Sequence, residues 1–185
     1  KGVIPLEMPK DWHAEAYKAQ AYAARTYAYA KYAGGTRDYD VADDQSDQCY
    51  GGSGSETAPT TAAALATQGR VIAFNGAPIR AYFASSNGGY TLSDGCWAGN
   101  VRTSGESVSC GAGQPYLTAV PDPADLAVKL PVPNRHASWV VSFTSAEIRA
   151  ALLQYKNVDI GTLVSVDVSN ESPATVGHVV SVRIR

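Results

Sequence analysis

A helical pattern of small and polar residues over about residues 12–32 predicts the longest element of the chain. The segment is rich in alanine, Asp11 precedes it as a candidate N-cap, and Gly34-Gly35 follows it as a stop signal. The spacing divides this helix into two faces. Cationic and tyrosine side chains share one face: Lys18, Tyr22, Arg25 and Tyr29. Mostly small side chains, which allow a neighbouring backbone to approach, share the other: Ala16, Ala19, Ala23, Tyr27 and Ala30.

Shorter helices and strands are predicted for the rest of the chain. Pro5 and Pro9 predict an extended segment over residues 1–10. Helices are predicted over about 58–67 and from the capping box Thr144-Ser145-Ala146-Glu147 to about Tyr155. Strands are predicted at Val71–Phe74 and, after an Asn75-Gly76 turn, Ile79–Ala84, then at Tyr116–Val120, Trp139–Phe143, 162–169 and 178–185. The sequence therefore predicts an α+β fold, with the long N-terminal helix and shorter helices packed on an antiparallel or mixed β-sheet.

Composition and charge exclude several classes of protein. Apolar residues make up 45% and charged residues 17% of the 185 residues, as is typical of a globular chain. The formal net charge of −2 provides no basic excess for nucleic acid or an anionic membrane surface. No apolar run is long enough to span a bilayer. Because Lys1-Gly2-Val3 is unlike a signal peptide, we expect one domain over residues 1–185, excised from a longer chain, with a second lobe over about 92–185 as an alternative.

Three cysteines, Cys49, Cys96 and Cys110, give an odd number of thiols. Cys96 and Cys110 flank a loop rich in glycine and serine. In an oxidising compartment a disulfide between them would clamp this loop, and the alternative is two free thiols.

Four blocks of the sequence form an ordered set of motifs. The first is Gly2-Val3-Ile4-Pro5-Leu6-Glu7-Met8-Pro9 with Trp12 and the helical segment from Glu15 to Tyr27. The second is Tyr50-Gly51-Gly52, and the third runs from Tyr82 to Thr91. The fourth contains Trp97, the Tyr116–Val120 stretch and Asp122-Pro123. In this order the blocks resemble the SpoIID/LytB family of stage II sporulation protein D, and they cover about residues 1–145.

The resemblance implies a peptidoglycan lytic transglycosylase that cleaves glycan strands poor in stem peptides and forms 1,6-anhydro-muramyl ends. It implies that Glu7 is the catalytic acid and that Lys18 and either Ser85 or Ser86 contribute to function. It also implies a secreted or cell-envelope-associated protein outside the cytoplasm, with peptidoglycan glycan strands as its partner. Because the LytB branch is named for enhancing an amidase, the alternative is a non-catalytic wall-binding module that enhances an N-acetylmuramoyl-L-alanine amidase.

One carboxyl group suffices for this reaction. Hydrolytic glycosidases use two carboxylates, whereas in a lytic transglycosylase the 6-hydroxyl of the sugar attacks its own anomeric carbon. A single acid then protonates the leaving oxygen and takes up the hydroxyl proton. Glu7 stands between Leu6 and Met8, with Pro5 and Pro9 stiffening the backbone, which suits a held and partly dry carboxyl group.

The remaining candidate residues belong to the substrate-binding surface. Lys18 and Arg25 can pair with the lactyl carboxylate of muramic acid. The alternative is that both lie on a solvated helix face or, for Arg25, that it forms a structural salt bridge. One loop offers side chains and backbone amides that can contact sugar hydroxyls, and the alternative is that it forms only a tight turn. Its residues are Ser85, Ser86, Asn87, Gly88 and Gly89. Aromatic rings that can stack on sugars, or belong to the core, are those of Tyr50, Tyr90 and Trp97.

We predict no metal cofactor. Some members of the family bind zinc through His and Cys in the loop before the Tyr-Gly-Gly block. The comparable loop here, residues 40–49, has one cysteine and no histidine, whereas a structural zinc site needs about four nitrogen or sulfur ligands. The aspartates of this loop can hold Ca²⁺ through oxygen ligands, but we interpret the loop as solvated.

Overall fold

An alanine-rich segment forms the longest helix of the computed structural model, which describes residues 1–8, 11–32, 38–97, 101–104, 107–126, 139–169 and 181–185. The chain divides into two compact units, Lys1–Phe83 and Ala84–Arg185. The prediction of one domain with a second lobe near residue 92 stays a prediction.

Over its described residues, the first unit contains three α-helices: α1 at Ile4–Glu7, α2 at Ala14–Lys31 and α3 at Ala58–Ala66. The extended segment predicted over residues 1–10 is wrong at Ile4–Glu7, which form α1. The first turn of a helix leaves its backbone N–H groups without intrahelical partners, so Pro5, which has no N–H, is compatible with it. Pro9 lies outside the described residues. The long predicted helix is present as α2, but its N-cap is His13, whose Nδ1 accepts a hydrogen bond from Glu15 N–H. Asp11 has a left-handed backbone with a φ of 68°.

The buried face of α2 differs from both predicted faces. Its buried residues are Tyr17, Ala21, Ala24 and Thr26, whereas the predicted small-residue face includes the exposed Ala19 and Ala30. Ile4 of α1 and Ala63 of α3 pack with Tyr17 and Ala21 to form the core of this unit, and Met8 and Ala64 pack around it. Alanine at the α2–α3 contact allows the two helices to approach closely. The core therefore fixes α1 against α2, with Glu7 at the end of α1.

A two-residue hairpin closes the first unit. Its strands are β1 at Ala73–Phe74, shorter than the predicted Val71–Phe74, and β2 at Ala77–Pro78. The predicted strand Ile79–Ala84 is wrong, because β2 pairs directly after the turn and ends at Pro78. The predicted Asn75-Gly76 turn is confirmed, with φ values of 49° and 81°.

In the part of the second unit that the structure describes, there are two antiparallel strand pairs and one α-helix. Strand β3 at Val101–Ser104 pairs with β4 at Ser107–Cys110, and β5 at Val166–Ser169 pairs with β6 at Ser181–Ile184. Helix α4, at Ser145–Lys156, begins at the predicted capping box, with Thr144 and Glu147 bonded reciprocally. Cys96 and Cys110 form the predicted disulfide.

Two predicted strands of this unit differ in the structure. Trp139–Phe143 forms no strand, and no neighbouring strand pairs with it among the described residues. The segment Tyr116–Val120 begins as a turn, although Thr91 N–H donates to the Val120 carbonyl and Tyr90 pairs with Pro121. The α+β class is thus confirmed, with small antiparallel strand pairs in place of one sheet over the part of the chain described. No helix in these ranges is long and apolar enough to cross a membrane.

Candidate functional site

Glu7 is the last residue of α1, and its carboxyl group contacts the loop at residues 40–52, which lies between α2 and α3. Its Oε1 accepts a 2.8 Å hydrogen bond from the backbone N–H of Cys49. Glu7 is half-buried, and its Oε2 has no hydrogen-bond partner among the described residues. The backbone therefore orients this carboxyl group through one oxygen and leaves the other oxygen available to a ligand.

The N-terminal turn is held against the same loop by Gly2. Its carbonyl accepts hydrogen bonds from Gly51 N–H at 3.1 Å and from Ser55 Oγ at 3.2 Å. A Cβ atom at Gly2 would lie 2.6 Å from the Gly52 carbonyl oxygen and 2.7 Å from a ring carbon of Tyr50. Only glycine permits this approach, so the residue contributes to the position of α1 and of Glu7.

Asp47 fixes the loop from the other side. Its carboxylate accepts hydrogen bonds from Tyr27 Oη at 2.9 Å and from Ala42 N–H at 2.8 Å, and it pairs with Lys31. The bonds from Lys31 and Ala42 hold the pKa of Asp47 below its usual value, and the bond to Asp47 raises the pKa of Lys31. Burial, followed by the bond to Asp47, raises the pKa of Tyr27. These interactions tie the loop to the C-terminal half of α2.

Among the described residues, no hydrogen bond or ion pair joins Lys18 to Glu7. Its Nζ lies 2.6 Å from Oε1 of Glu15, one turn earlier on α2, in an exposed ion pair. This bond to Lys18 lowers the pKa of Glu15. The functional role of Lys18 stays a prediction.

Arg25 caps the C-terminal end of α3. Its guanidinium donates to the carbonyl oxygens of Ala64, Thr67 and Arg70, at 3.1, 2.8 and 3.0 Å, and to Thr67 Oγ1 at 3.1 Å. Ala64 lies in the last turn of α3, where carbonyls lack intrahelical partners and favour a cation, and the Thr67 and Arg70 carbonyls follow the helix. We therefore assign Arg25 to the packing of the two helices rather than to a salt bridge.

Tyr50 presents an exposed ring beside the N-terminal turn. The ring is 53% exposed and packs one edge against Gly2. Tyr50 follows Cys49, the residue that binds Glu7, and its own N–H donates to the Asp43 carbonyl. The position suits sugar stacking, which stays a prediction.

The serine- and glycine-rich loop belongs to the second unit and encloses a carboxylate of its own chain. Oδ2 of Asp125 accepts hydrogen bonds from Ser86 Oγ at 2.9 Å, Asn87 N–H at 3.0 Å and Gly88 N–H at 2.7 Å. The side-chain amide of Asn87 also donates to Asp122 at 2.9 Å. Burial opposes the ionisation of Asp125, but these donors outweigh it and hold the pKa of Asp125 below its usual value.

The hydrogen bonds to Asp125 therefore explain the conformation of this loop, and its contacts with sugars stay a prediction. The φ of Gly89 is 97°, and a Cβ atom there would lie 2.6 Å from Leu126, so the position requires glycine. Ser85 and Tyr90 are exposed. Trp97, the third aromatic candidate, is 48% exposed.

A cavity of about 450 Å³ lies in the first unit, next to the loop that binds Glu7. Ile4, Gln48 and Tyr50 contribute to its wall, whereas Glu7 and Lys18 do not. Gln48 is buried, and its side-chain Nε2 donates to the Ala24 carbonyl at 3.1 Å.

The resemblance associates zinc in some family members with the loop before the Tyr-Gly-Gly block. Cys49 is the free cysteine, and the described residues contain no cluster of three His, Cys, Asp or Glu side chains suited to a metal ion. Asp47, the best-placed carboxylate of the loop, is already paired with Lys31. The absence of a cofactor stays a prediction.

Comparison with known proteins finds a family match for the part of the chain that contains Glu7. Residues 1–74 match the family model described as stage II sporulation protein, SpoIID. These residues belong to the SpoIID family. The chain is also 43% identical over 126 residues to the amidase enhancer of Bacillus subtilis (strain 168), an alignment that covers 68% of this chain. No solved structure matches it.

The SpoIID match and the relative differ in extent. The match contains Glu7, Lys18, Arg25 and Tyr50, whereas Ser85–Tyr90 lie beyond it. The chain spans about 15% of the length of the Bacillus amidase enhancer.

Sequence reasoning missed the residues that position Glu7 within the SpoIID segment. Gly2, Asp47, Gln48 and the amide of Cys49 were not singled out as site residues. The residues joined by the Glu7–Cys49 bond are 42 positions apart, and no local pattern indicates such a pairing. The proximity of Glu7 to the Tyr-Gly-Gly block was the available signal, because both belong to the family resemblance.

Proposed function

We propose that this chain acts on the bacterial cell wall by cleaving peptidoglycan glycan strands, with Glu7 as its single acid and base. The SpoIID family of residues 1–74 supports the cell wall as the place of action. The observation that carries the enzymatic proposal is the Glu7 carboxyl group, with Oε1 held by Cys49 N–H and Oε2 without a partner among the described residues. It acts outside the cytoplasm, where its substrate lies.

The reaction balances without water or a cofactor. The protonated Glu7 carboxyl gives its proton to the oxygen that leaves the anomeric carbon of a muramyl residue, and the glycosidic bond breaks. The 6-hydroxyl of the same sugar attacks that carbon, forming the 1,6-anhydro ring. Its proton passes to the Glu7 carboxylate, which restores the acid. One product carries the anhydro end and the other a free 4-hydroxyl group.

Fixing the carboxyl group is the contribution of the surrounding chain. A general acid must lie within hydrogen-bond reach of the atom that it protonates, and its geometry must be held while charge develops. The core position of Ile4, the Gly2 contacts and the Cys49 amide together hold Glu7. Tyr50, with its exposed ring one residue from Cys49, is the stacking platform for a sugar.

An endpoint digestion tests the enzymatic proposal. Stem-free glycan strands are incubated with wild-type protein, Glu7→Gln and Lys18→Met, and anhydro-muramyl ends are counted by mass spectrometry. We expect ends with wild type and none above background with Glu7→Gln, because the amide cannot donate and recover the proton. Equal numbers of ends from wild type and Glu7→Gln exclude Glu7 as the acid. Fewer anhydro ends with Lys18→Met than with wild type would support the predicted substrate role of Lys18, because its ion pair with Glu15 is exposed and contributes little to the fold.

A second candidate function is the enhancement of a cell-wall amidase without chemistry by this chain. The name of the Bacillus relative favours it. The discriminating assay measures the rate of an N-acetylmuramoyl-L-alanine amidase on whole peptidoglycan with and without the chain. Stimulation by wild type and Glu7→Gln alike, with no anhydro ends from either, supports the second function. Stimulation by the wild type alone supports cleavage as the route to enhancement.

A further inference from the structure

Two Asn-Gly pairs occur in the chain, in opposite surroundings. Asn75-Gly76 forms the turn between β1 and β2, and Asn87-Gly88 belongs to the serine- and glycine-rich loop of the second unit. Asparagine before glycine is the pair most prone to lose its side-chain amide, because glycine has no Cβ atom to shield its backbone nitrogen. The contacts of each pair therefore decide which of the two reacts.

The Asn75-Gly76 turn leaves the reacting atoms open to water. Both residues are exposed, and a Cβ atom at Gly76 would meet nothing within 4 Å. No hydrogen bond joins the Asn75 side chain or the Gly76 N–H to another described residue. The hairpin pairs only Ala73–Phe74 with Ala77–Pro78, and so short a strand pair opens readily. When it opens, the Gly76 nitrogen can reach the side-chain carbon Cγ of Asn75.

The Asn87-Gly88 pair is closed against the same reaction. Gly88 N–H donates to Oδ2 of Asp125 at 2.7 Å, and this carboxylate opposes loss of the Gly88 proton because a second negative charge would form beside it. The Asn87 side chain is held at both ends. Its Nδ2 donates to Asp122 and its Oδ1 accepts from Gly89 N–H, each at 2.9 Å. Attack on the side-chain carbon of Asn87 requires these bonds to break first.

We propose that Asn75 is a site of spontaneous deamidation by water and that Asn87 is protected from it. Hydroxide removes the amide proton of Gly76, and the nitrogen attacks Cγ of Asn75. The bond from Cγ to Nδ2 breaks, and ammonia leaves with a proton from water. The product is a five-membered succinimide ring, which one water molecule opens at either of its two carbonyl groups. The result is aspartate or isoaspartate at position 75.

Isoaspartate alters the hairpin more than aspartate does. It routes the main chain through the side-chain carbon and so adds one backbone atom to a two-residue turn, which the pairing of Phe74 with Ala77 does not accommodate. The hairpin is joined to α2, because Ile72 N–H donates to Thr26 Oγ1 at 2.9 Å. Ile79 N–H in turn donates to the Ile72 carbonyl at 3.1 Å. We therefore expect isoaspartate to weaken both of these bonds.

The test is incubation of the whole chain at mildly alkaline pH, followed by digestion and mass spectrometry of the two Asn-Gly peptides. A parallel sample unfolded in guanidinium chloride supplies the intrinsic rate of each pair, so that differences in local sequence cancel. We expect folding to slow the reaction of Asn87 at least about tenfold more than that of Asn75, a factor that corresponds to about 1.4 kcal/mol. A smaller difference, or one in the other direction, overturns the proposal.

Two variants assign the protection of Asn87 to its hydrogen bonds. Asp125→Ala removes the acceptor of Gly88 N–H and should raise the Asn87 rate about tenfold or more, without changing the Asn75 rate. Asp159→Ala is the matched control, because this carboxylate binds elsewhere in the second unit, and it should leave both rates unchanged. A wild-type Asn87 rate in Asp125→Ala contradicts the assigned protection.

Amide hydrogen exchange measures the effect of the modification on the hairpin. The isolated isoaspartyl chain should exchange faster than the unmodified chain at Ile72 and Ile79, whose hydrogen bonds join the hairpin to α2 and to itself. Ile148, whose N–H donates to the Thr144 carbonyl at the start of α4, should exchange at the same rate in both. Unchanged exchange at Ile79 would contradict the expected effect of isoaspartate on the turn.

Discussion

Replacing Arg25 by methionine removes four hydrogen bonds at and just beyond the C-terminal end of α3. Methionine keeps much of the apolar stem, so the change acts mainly on the guanidinium. A hydrogen bond to a charged group contributes about 1.5–3 kcal/mol, and a cation at a helix C-terminus about 0.3–1 kcal/mol. The four bonds share one half-buried group and do not add. We expect the free energy of unfolding to fall by about 2–4 kcal/mol.

The assay is thermal unfolding followed by far-UV circular dichroism. For a chain of this length the expected loss corresponds to a fall in Tm of about 4–16 °C. Arg25→Lys should fall between wild type and methionine, because an ammonium keeps the charge but cannot bridge all four acceptors. Lys18→Met is the matched control on the same helix and should leave Tm nearly unchanged, because its pair with Glu15 is exposed to solvent. An Arg25→Met variant with wild-type Tm and weakened glycan binding would refute the structural assignment.

Three further substitutions test the contacts of the loop that binds Glu7 and of the Ser86–Gly88 loop. Gly2→Ala should lower Tm and slow glycan cleavage, because its Cβ would lie 2.6 Å from a carbonyl oxygen, whereas Gly54→Ala, which meets open space, should change neither. Asp47 has a lowered pKa, so its stabilising effect is present above about pH 4 and is lost as the pH falls through the lower, folded-state pKa. Urea midpoints of wild type and Asp47→Asn should therefore differ at neutral pH and converge in acid. Asp125→Ala should increase amide hydrogen exchange at Asn87 and Gly88, which lose their acceptor, and unchanged protection there would contradict the assigned bonds.

Local signals in the sequence predicted several elements correctly. The capping box at Thr144 and Glu147 and the Asn75-Gly76 turn depend on neighbours within a few residues, and both are present. The errors at Asp11 and Pro5 are also local. His13, and not Asp11, is the N-cap of α2, and Pro5 lies in the first turn of α1.

Contacts between distant segments lay beyond the sequence pattern. The bonds from Arg25 to α3 and the residues after it join positions 39 to 45 residues apart, whereas the sequence left open a substrate contact, a solvated helix face or a structural salt bridge for Arg25. The buried face of α2 was missed for the same reason, because alanine occurs all around the helix and marks no single face. The Ser86–Gly88 loop predicted ligand contact from its composition, and the bonds from its donors to Asp125 were not foreseen; its contact with sugars stays a prediction. Family resemblance alone singled out Glu7 as a functional residue.

The most direct test of the account is the rate at which Glu7→Gln forms anhydro-muramyl ends on purified strands, relative to wild type, with enzyme in excess. The NMR signal of the Cys49 amide, which binds Glu7, reports whether the variant keeps the local structure. The account predicts a rate lower by about 10²–10⁴-fold, the usual contribution of a general acid. A rate within about twofold of wild type, with the local structure intact, would contradict it.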